Sequence, residues 1–445
     1  MIPVDITLAI TLLVLLAVAI TASSGGVATF YVLVPVLVTN RFMRRVTDWA
    51  SGEYHSFPLL SILGLLAVLV ALLFAIPRIW RLPARELQGV IFITAGIGYG
   101  AVRGLGGRLS TILEFLAYLA PLAMYVIVRT SNLSLDDRDR MVRTVGYFGI
   151  LAAVYGLLQY AFVPPWDAFW MNHCGMHSIG LPVPFKIRVF SLLSDANIAG
   201  MFLAIACICM LLQPYWRPMG IPGVLIALCG LAVTLVRTSW LMVPIAVGFW
   251  TLKSRGSAAA SRAALLVIGV ITLLWVAPAL PGGQAIVNRF ATFGDLTSDR
   301  SAMGRADIFR VTLRASLSNP LGHGLGSTGG VMGRLSESES AAFDNGLTEL
   351  LYSFGMPGLL LIGLGIWMVA TSLDAQAASD FVGLRNTILV ATAVGLCSLN
   401  IVKGDLACVI AMLVAIGCFT PEYEDELVWD ERELQPLAAA RPQEP

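Results

Sequence analysis

FPLLSILGLLAVLVALLFAI, residues 57–76, runs for twenty residues without a charged side chain. A helix rises 1.5 Å per residue, so such a run covers about 30 Å, the thickness of a bilayer's hydrocarbon core. Similar apolar stretches recur along the 445-residue chain, near 6–22, 26–39, 88–102, 110–128, 141–162, 197–213, 219–236, 238–252, 263–279, 345–372, 384–401 and 403–419. Several are shorter than the roughly 20 residues a span needs. The first two read either as one long helix or as a tight hairpin around Ser23-Ser24-Gly25-Gly26. Composition agrees, with 57% hydrophobic and 13% charged residues, where an ordinary soluble domain carries about 25% charged residues. A transmembrane barrel is excluded, because its strands would be about 10 residues long and would alternate. The expected fold is therefore an all-α integral membrane protein of about 12–13 spans. The N-terminus, MIPVDITLAITLLVLLAVAI, holds an acid, no basic n-region and no clear cleavage site, so it reads as a retained helix.

Lys and Arg in short loops set orientation. RIWRLPARE (78–86), RTSNLSLDDRDRMVR (129–143) and KSRGSAAASR (253–262) fall on one side if the spans alternate, and that side is expected to be cytoplasmic. NRFMRR (40–45), read as a loop, lands on the opposite side. Two long segments then face outward, about 163–195 and 280–343, with Trp166, Phe169 and Trp170 suited to an interfacial belt. GRADIFRVTLRASLS (304–318) fits an amphipathic helix on the membrane, with Ile308, Val311 and Leu313 near one face. The acidic, then Pro/Ala-rich tail after residue 420 reads as a solvated cytoplasmic end. A net charge of +1 gives no reason to expect nucleic acid, and the seven cysteines form no disulfide framework.

Charges at or in spans are the candidates for chemistry, because they are costly there. Arg237 sits in LAVTLVRTSWLMVPIAVGFW, between two apolar runs. It reads as an anion site, the planar guanidinium suiting a phosphate, or as a snorkelling residue in a tight turn. Arg305 is one of six arginines between 280 and 343, most of which need meet only water or headgroups. AFDNGLTELLYSFGMPG (342–358) places Asp344, Asn345 and Glu349 at the mouth of a span. Asp344 suits an N-cap and could equally take a proton from a sugar hydroxyl. Asn345 reads as first-turn polar filler, and Glu349 faces the bundle or pairs with an Arg. In RVFSLLSDANIAGMF (188–202), Arg188, Asp195 and Asn197 gather at another mouth, where Ser194 or Asp195 can cap. GHGLGSTGG (322–330) contains Gly324, Gly326 and Gly329 in a GxGxxG spacing, but it follows no strand. It reads as a turn that lets backbone approach a ligand or another helix. NHCGMH offers His173, Cys174 and His177 without a fourth metal ligand.

R-V-F-S-x-x-x-D-x-N-x-x-G opening a span, a span ending R-T-S-W-L, G-R-x-x-x-F, N-P-L-G-H-G-L-G and D-N-G-L-x-x-L-x-x-x-G-x-x-G occur in that order over about residues 185–372. Their order and spacing resemble the O-antigen ligase and polymerase superfamily of bacterial envelope glycosyltransferases. The resemblance implies a GT-C-like polytopic bundle with a long outward loop before the last three helices. Its segments would be spans over 1–162, an outward loop over 163–196, spans over 197–279 with the Arg237 turn, a long periplasmic loop over 280–343, three spans over 344–419 and a cytoplasmic tail over 420–445. It implies no cofactor and no metal, and location in the bacterial inner membrane with the active site facing outward. It also implies transfer of a glycan from a polyprenyl diphosphate to an acceptor sugar hydroxyl, with membrane lipid, a chain-length regulator and a flippase as further partners. Ligases of the family place His-Asn where this chain has Asp344-Asn345, so the polymerase branch fits better. By the same resemblance the span arginine falls on Arg237 and the loop arginine on Arg305, with Arg300 close by. Asp344 would then act on the attacking hydroxyl and the arginines on the diphosphate. Asn345, Arg188, Asn197, Arg300, Glu349, Gly324 and Gly326 are expected to contribute to substrate binding. A ligase for lipid A or protein acceptors and a lipid-linked oligosaccharide transporter are the rival readings; against the transporter, no internal repeat is visible.

Overall fold

The computed structural model describes residues 4–55, 59–105, 109–175, 179–253, 264, 267–269, 277–279, 281–291, 300–328, 345–371 and 380–418. Among them the helices are α1 (Val4–Ser24), α2 (Ala28–Ser51), α3 (Leu63–Ala75), α4 (Ala84–Arg103), α5 (Leu109–Arg129), α6 (Leu135–Phe162), α7 (Pro165–His173) and α8 (Ala196–Leu212). They continue with α9 (Gly220–Val233), α10 (Arg237–Lys253), α11 (Gly283–Ala291), α12 (Arg300–Ser318), α13 (Gly346–Thr371), α14 (Asp380–Leu396) and α15 (Gly404–Ile416). Extended pairing among the described residues is limited to an isolated antiparallel bridge, Gly180 to Ile187. The protein is an all-α polytopic membrane protein.

Five stretches are by themselves long and apolar enough to cross a bilayer: Thr7–Ser24, Leu59–Arg81, Leu109–Arg129, Leu135–Phe162 and Gly346–Thr371. Shorter apolar helices such as α8, α9 and α15 complete the bundle. α8 can be short because protein rather than lipid surrounds it. Every residue of α8 except Asn197 and Ile198 is buried, so it is the bundle's central post, whereas α1 turns Leu12, Leu13, Leu16 and Ile20 outward.

Helix ends sort onto two faces. On one, Asn132 N donates to Gly25 O, Arg81 reaches Asn132 Oδ1 at 3.2 Å, Trp216 Nε1 donates to Asp139 and Tyr215 OH donates to Asp380. This face carries the basic turns, with Arg78, Arg81, Arg140 and Arg143. On the other, Tyr160 OH donates to Gly282 O and Leu325 N to Gly100 O, and the α14–α15 turn lies beside the start of α13. Taking the helices in order, α1–α6, α8–α10 and α13–α15 alternate between these faces, in the order of the expected spans. The expected span 263–279 falls mostly outside the described residues.

Two local expectations resolve. The first two spans form a hairpin, with Gly25 at φ +66° between α1 and α2. NRFMRR is not a loop: α2 runs through it to Ser51 and ends at Gly52 in the left-handed conformation. The helix can carry those charges because each finds a partner. Arg44 pairs with Asp48 one turn on at 3.3 Å and donates to the His55 carbonyl, and Arg45 pairs with Asp167 of α7 at 2.7 Å. These arginines are neutralised inside the protein, which is why they broke the loop-charge pattern.

α12 forms where the amphipathic helix was expected. Its packed side carries Thr312 and Ser316, and Phe309, Val311 and Leu317 are exposed.

Candidate active site

α13 begins at Asn345. The Asn345 Oδ1 accepts from Leu347 N at 2.9 Å and Thr348 N at 3.3 Å, while its Nδ2 donates to Cys397 O at 3.1 Å. Asn345 is therefore the cap, not filler, and it ties this helix mouth to the end of α14. Asp344 lies outside the described residues.

One turn in, Glu349 is buried and ion-pairs with Lys403, at the entry to α15. Lys403 Nζ also lies 2.8 Å from Glu114 Oε1, on the first turns of α5. Glu114 accepts further bonds from Thr328 Oγ1 at 2.8 Å and Gly326 N at 2.5 Å. Tyr118 completes the group: its ring centroid is 5.4 Å from the Lys403 ammonium, and its hydroxyl accepts from Asn400 Nδ2 at 2.6 Å. Two carboxylates and one ammonium, all mostly withdrawn from solvent, thus share one hydrogen-bonded network. Removing a partner would strand a buried charge.

This network walls a cavity of about 320 Å³ on the face opposite the basic turns. Ser194, Asp195, Arg41 and Asp405 continue the wall. Asp195 caps α8, accepting from Asn197 N at 2.8 Å and Ile198 N at 3.0 Å. Asp405 accepts from Asn40 Nδ2 at 2.9 Å and stands 3.7 Å from Arg41.

The glycine-rich turn approaches backbone. Pro357 has no N–H for Ser353 O, and Gly355, at φ +59° and ψ −173°, breaks α13. The freed carbonyls are met by the turn: Gly324 N donates to Ser353 O, His323 N to Tyr352 O, and Met356 N returns a bond to Pro320 O. A side chain at Gly324 would stand 2.2 Å from Gly104 N, so only glycine allows this close approach. The turn thereby seats Gly326 and Thr328 on Glu114.

The other expected residues lie elsewhere. Arg237 is the first residue of α10, half-buried, in a sharp break after Leu235 at φ +57°, and it does not line the cavity. Arg188 reaches Asn197 Oδ1 at 3.4 Å beside the α8 mouth, again outside the cavity wall. Arg300 and Arg305 lie on α12, with their side chains outside what is described. His173 bonds the Phe169 carbonyl, Cys174 is buried against the Met171 carbonyl, and His177 lies outside the described residues. No group of three His, Cys, Asp or Glu side chains spaced for a metal occurs among the described residues. Of the expected set, then, the fold brings together Glu349 and Gly326, and adds Glu114, Lys403, Arg41, Asn400 and Asp405. Glu114, a lone acid within an apolar span, was the visible signal for this second group.

No curated protein matches the chain significantly. Residues 222–363, from α9 to the second half of α13, match the protein family described as O-antigen ligase, the segment that holds Arg237, Arg305 and the Asp344–Glu349 mouth. Over this segment the chain is similar to that family.

Proposed function

We propose that the protein is a polysaccharide polymerase, joining oligosaccharide repeat units carried on polyprenyl diphosphate at the outer face of the inner membrane. The observation that carries this reading is the charge-lined cavity at the Asn345–Glu349 helix mouth, a mouth that lies within the segment similar to the O-antigen ligase family, on the face away from the basic turns. Positive loops favour the cytoplasm, which supports an outward-facing cavity. In the reaction, the bond between the donor's anomeric carbon and the diphosphate oxygen breaks as the acceptor hydroxyl bonds to that carbon. The hydroxyl proton passes to a carboxylate, Asp344 before the cap or Glu349 one turn inside it. Arg237 and Arg305 would hold the departing diphosphate and offset its growing charge. A diphosphate leaves readily, so positioning and electrostatics can supply much of the rate without a resident metal.

The test is the size distribution, on a gel, of polysaccharide from a deletion strain complemented with wild type, Asp344→Ala or Glu349→Gln. Single repeat units in the deletion, and in a variant with normal membrane levels, support polymerisation and name the base. Long chains retained on the carrier would make it a ligase instead. Repeats trapped on the cytoplasmic side would make it a transporter.

A further inference from the structure

Six charged side chains line the cavity: Glu114, Glu349, Asp195 and Asp405 against Arg41 and Lys403. Four carboxylates against two cations leave about two negative charges. The first turns of α8, α13 and α15 also open at its wall, and each helix N-terminus is worth roughly half a positive charge. The site is therefore close to neutral, and apolar residues such as Leu65, Leu113 and Ile198 share its wall with hydrogen-bonding groups of both kinds.

That balance selects its ligand. A phosphate would meet four carboxylates, with Lys403 already shared by Glu114 and Glu349 and Arg41 standing 3.7 Å from Asp405. A divalent cation would compete with that lysine and arginine for every paired oxygen. A lipid tail would suit the apolar part of the wall but leave its six charged groups without water. An uncharged group rich in hydroxyls suits it, since each hydroxyl both donates to a carboxylate and accepts from an ammonium or guanidinium. Arg41 Nε has no hydrogen-bond acceptor of its own, and Ser61, Ser110 and Ser194 add hydroxyls to the wall. The volume, about 320 Å³, lies at the small end of small-molecule sites.

We infer that this cavity is the subsite for the acceptor sugar, held through its hydroxyls by Glu114, Lys403 and Asp405. The diphosphate then lies outside it, on the arginine side. This assignment rests on the transferase reading, and it brings α2, α5 and α15, all outside the matched domain, into substrate recognition.

The experiment uses full-length protein in nanodiscs. The probe is an uncharged oligosaccharide released by partial hydrolysis of the polysaccharide, and its binding is measured directly. Transfer to it from extracted polyprenyl-linked repeat units is measured in the same preparation. Glu114→Gln and Asp405→Asn are expected to weaken acceptor binding at least tenfold and to raise the acceptor KM similarly, with the donor KM unchanged. Ala117→Leu, which narrows the cavity without touching its charges, is expected to do the same with an unchanged melting temperature. Unaltered acceptor binding in all three variants, or a rise in donor KM alone, overturns the subsite. Acceptor binding that is lost in the variants, together with no transfer by the wild type, keeps the sugar site and removes the transferase reading.

Discussion

Two charge clusters are buried on the same face of this protein, and they differ in what surrounds them. Arg45 and Asp167 are 1% and 0% exposed. Asp167 also accepts from Tyr155 OH at 2.6 Å and Gln159 Nε2 at 2.8 Å, while Arg45 donates to the carbonyls of Leu193 and Ser191 and lies against the rings of Phe190 and Trp170. Neither lines the cavity. That cluster bolts α7 and the segment before α8 onto α2. The Glu114–Lys403–Glu349 cluster is nearly as withdrawn, yet one side of it is empty space. A charge in a membrane protein is a functional hypothesis by default, and the comparison shows what separates the two cases: the structural pair meets only other protein groups, whereas the other faces a void where a ligand can compete.

If the distinction holds, the largest loss of stability comes from Asp167→Ala. It strands Arg45 in a dry site and is expected to cost about 3–5 kcal/mol, read as loss of the monodisperse peak in detergent chromatography. Lys403→Met leaves two carboxylates facing each other beside a cavity that water can enter. Its expected cost is smaller, about 1.5–3 kcal/mol by thermal melting, with polymer synthesis abolished even where protein is recovered. Equal melting losses for the two variants would break the comparison. Gly324→Ala forces a side chain into the Arg103–Gly104 backbone at φ +86° and should cost about 1–3 kcal/mol. It should also lower activity by releasing Thr328 from Glu114, which rescue at reduced temperature would reveal. Arg140→Ala removes a surface pair with Asp136, 56% and 74% exposed, and is expected to leave the melting temperature unchanged.

The spans were legible because a span is a local property: twenty apolar residues announce themselves wherever they lie. NRFMRR was misread for the complementary reason. Four polar or basic residues in six look like a loop until Asp48, one turn on in α2, and Asp167 and the Ser191 and Leu193 carbonyls, from other elements, meet them. The D-N-G-L mouth was legible as a site candidate, but Asn345, expected as polar filler, caps the helix, since Asp and Asn both suit that position and only the hydrogen bonds identify Asn345. GHGLG showed that backbone would come close to something; the broken α13 as its partner came from Gly355 and Pro357, thirty residues on.

By itself the sequence determined an all-helical membrane protein, the order of its helices and a resemblance to a superfamily carried on five spaced motifs. Those follow from side chains within one or two turns of each other, where hydrophobicity and backbone geometry act locally. Only the tertiary structure decided which charges meet. Lys403 and Glu114 are 289 residues apart. Neither residue type nor spacing foretells their contact, because it exists only where α5, α13 and α15 pack closely enough to exclude water from all sides but one.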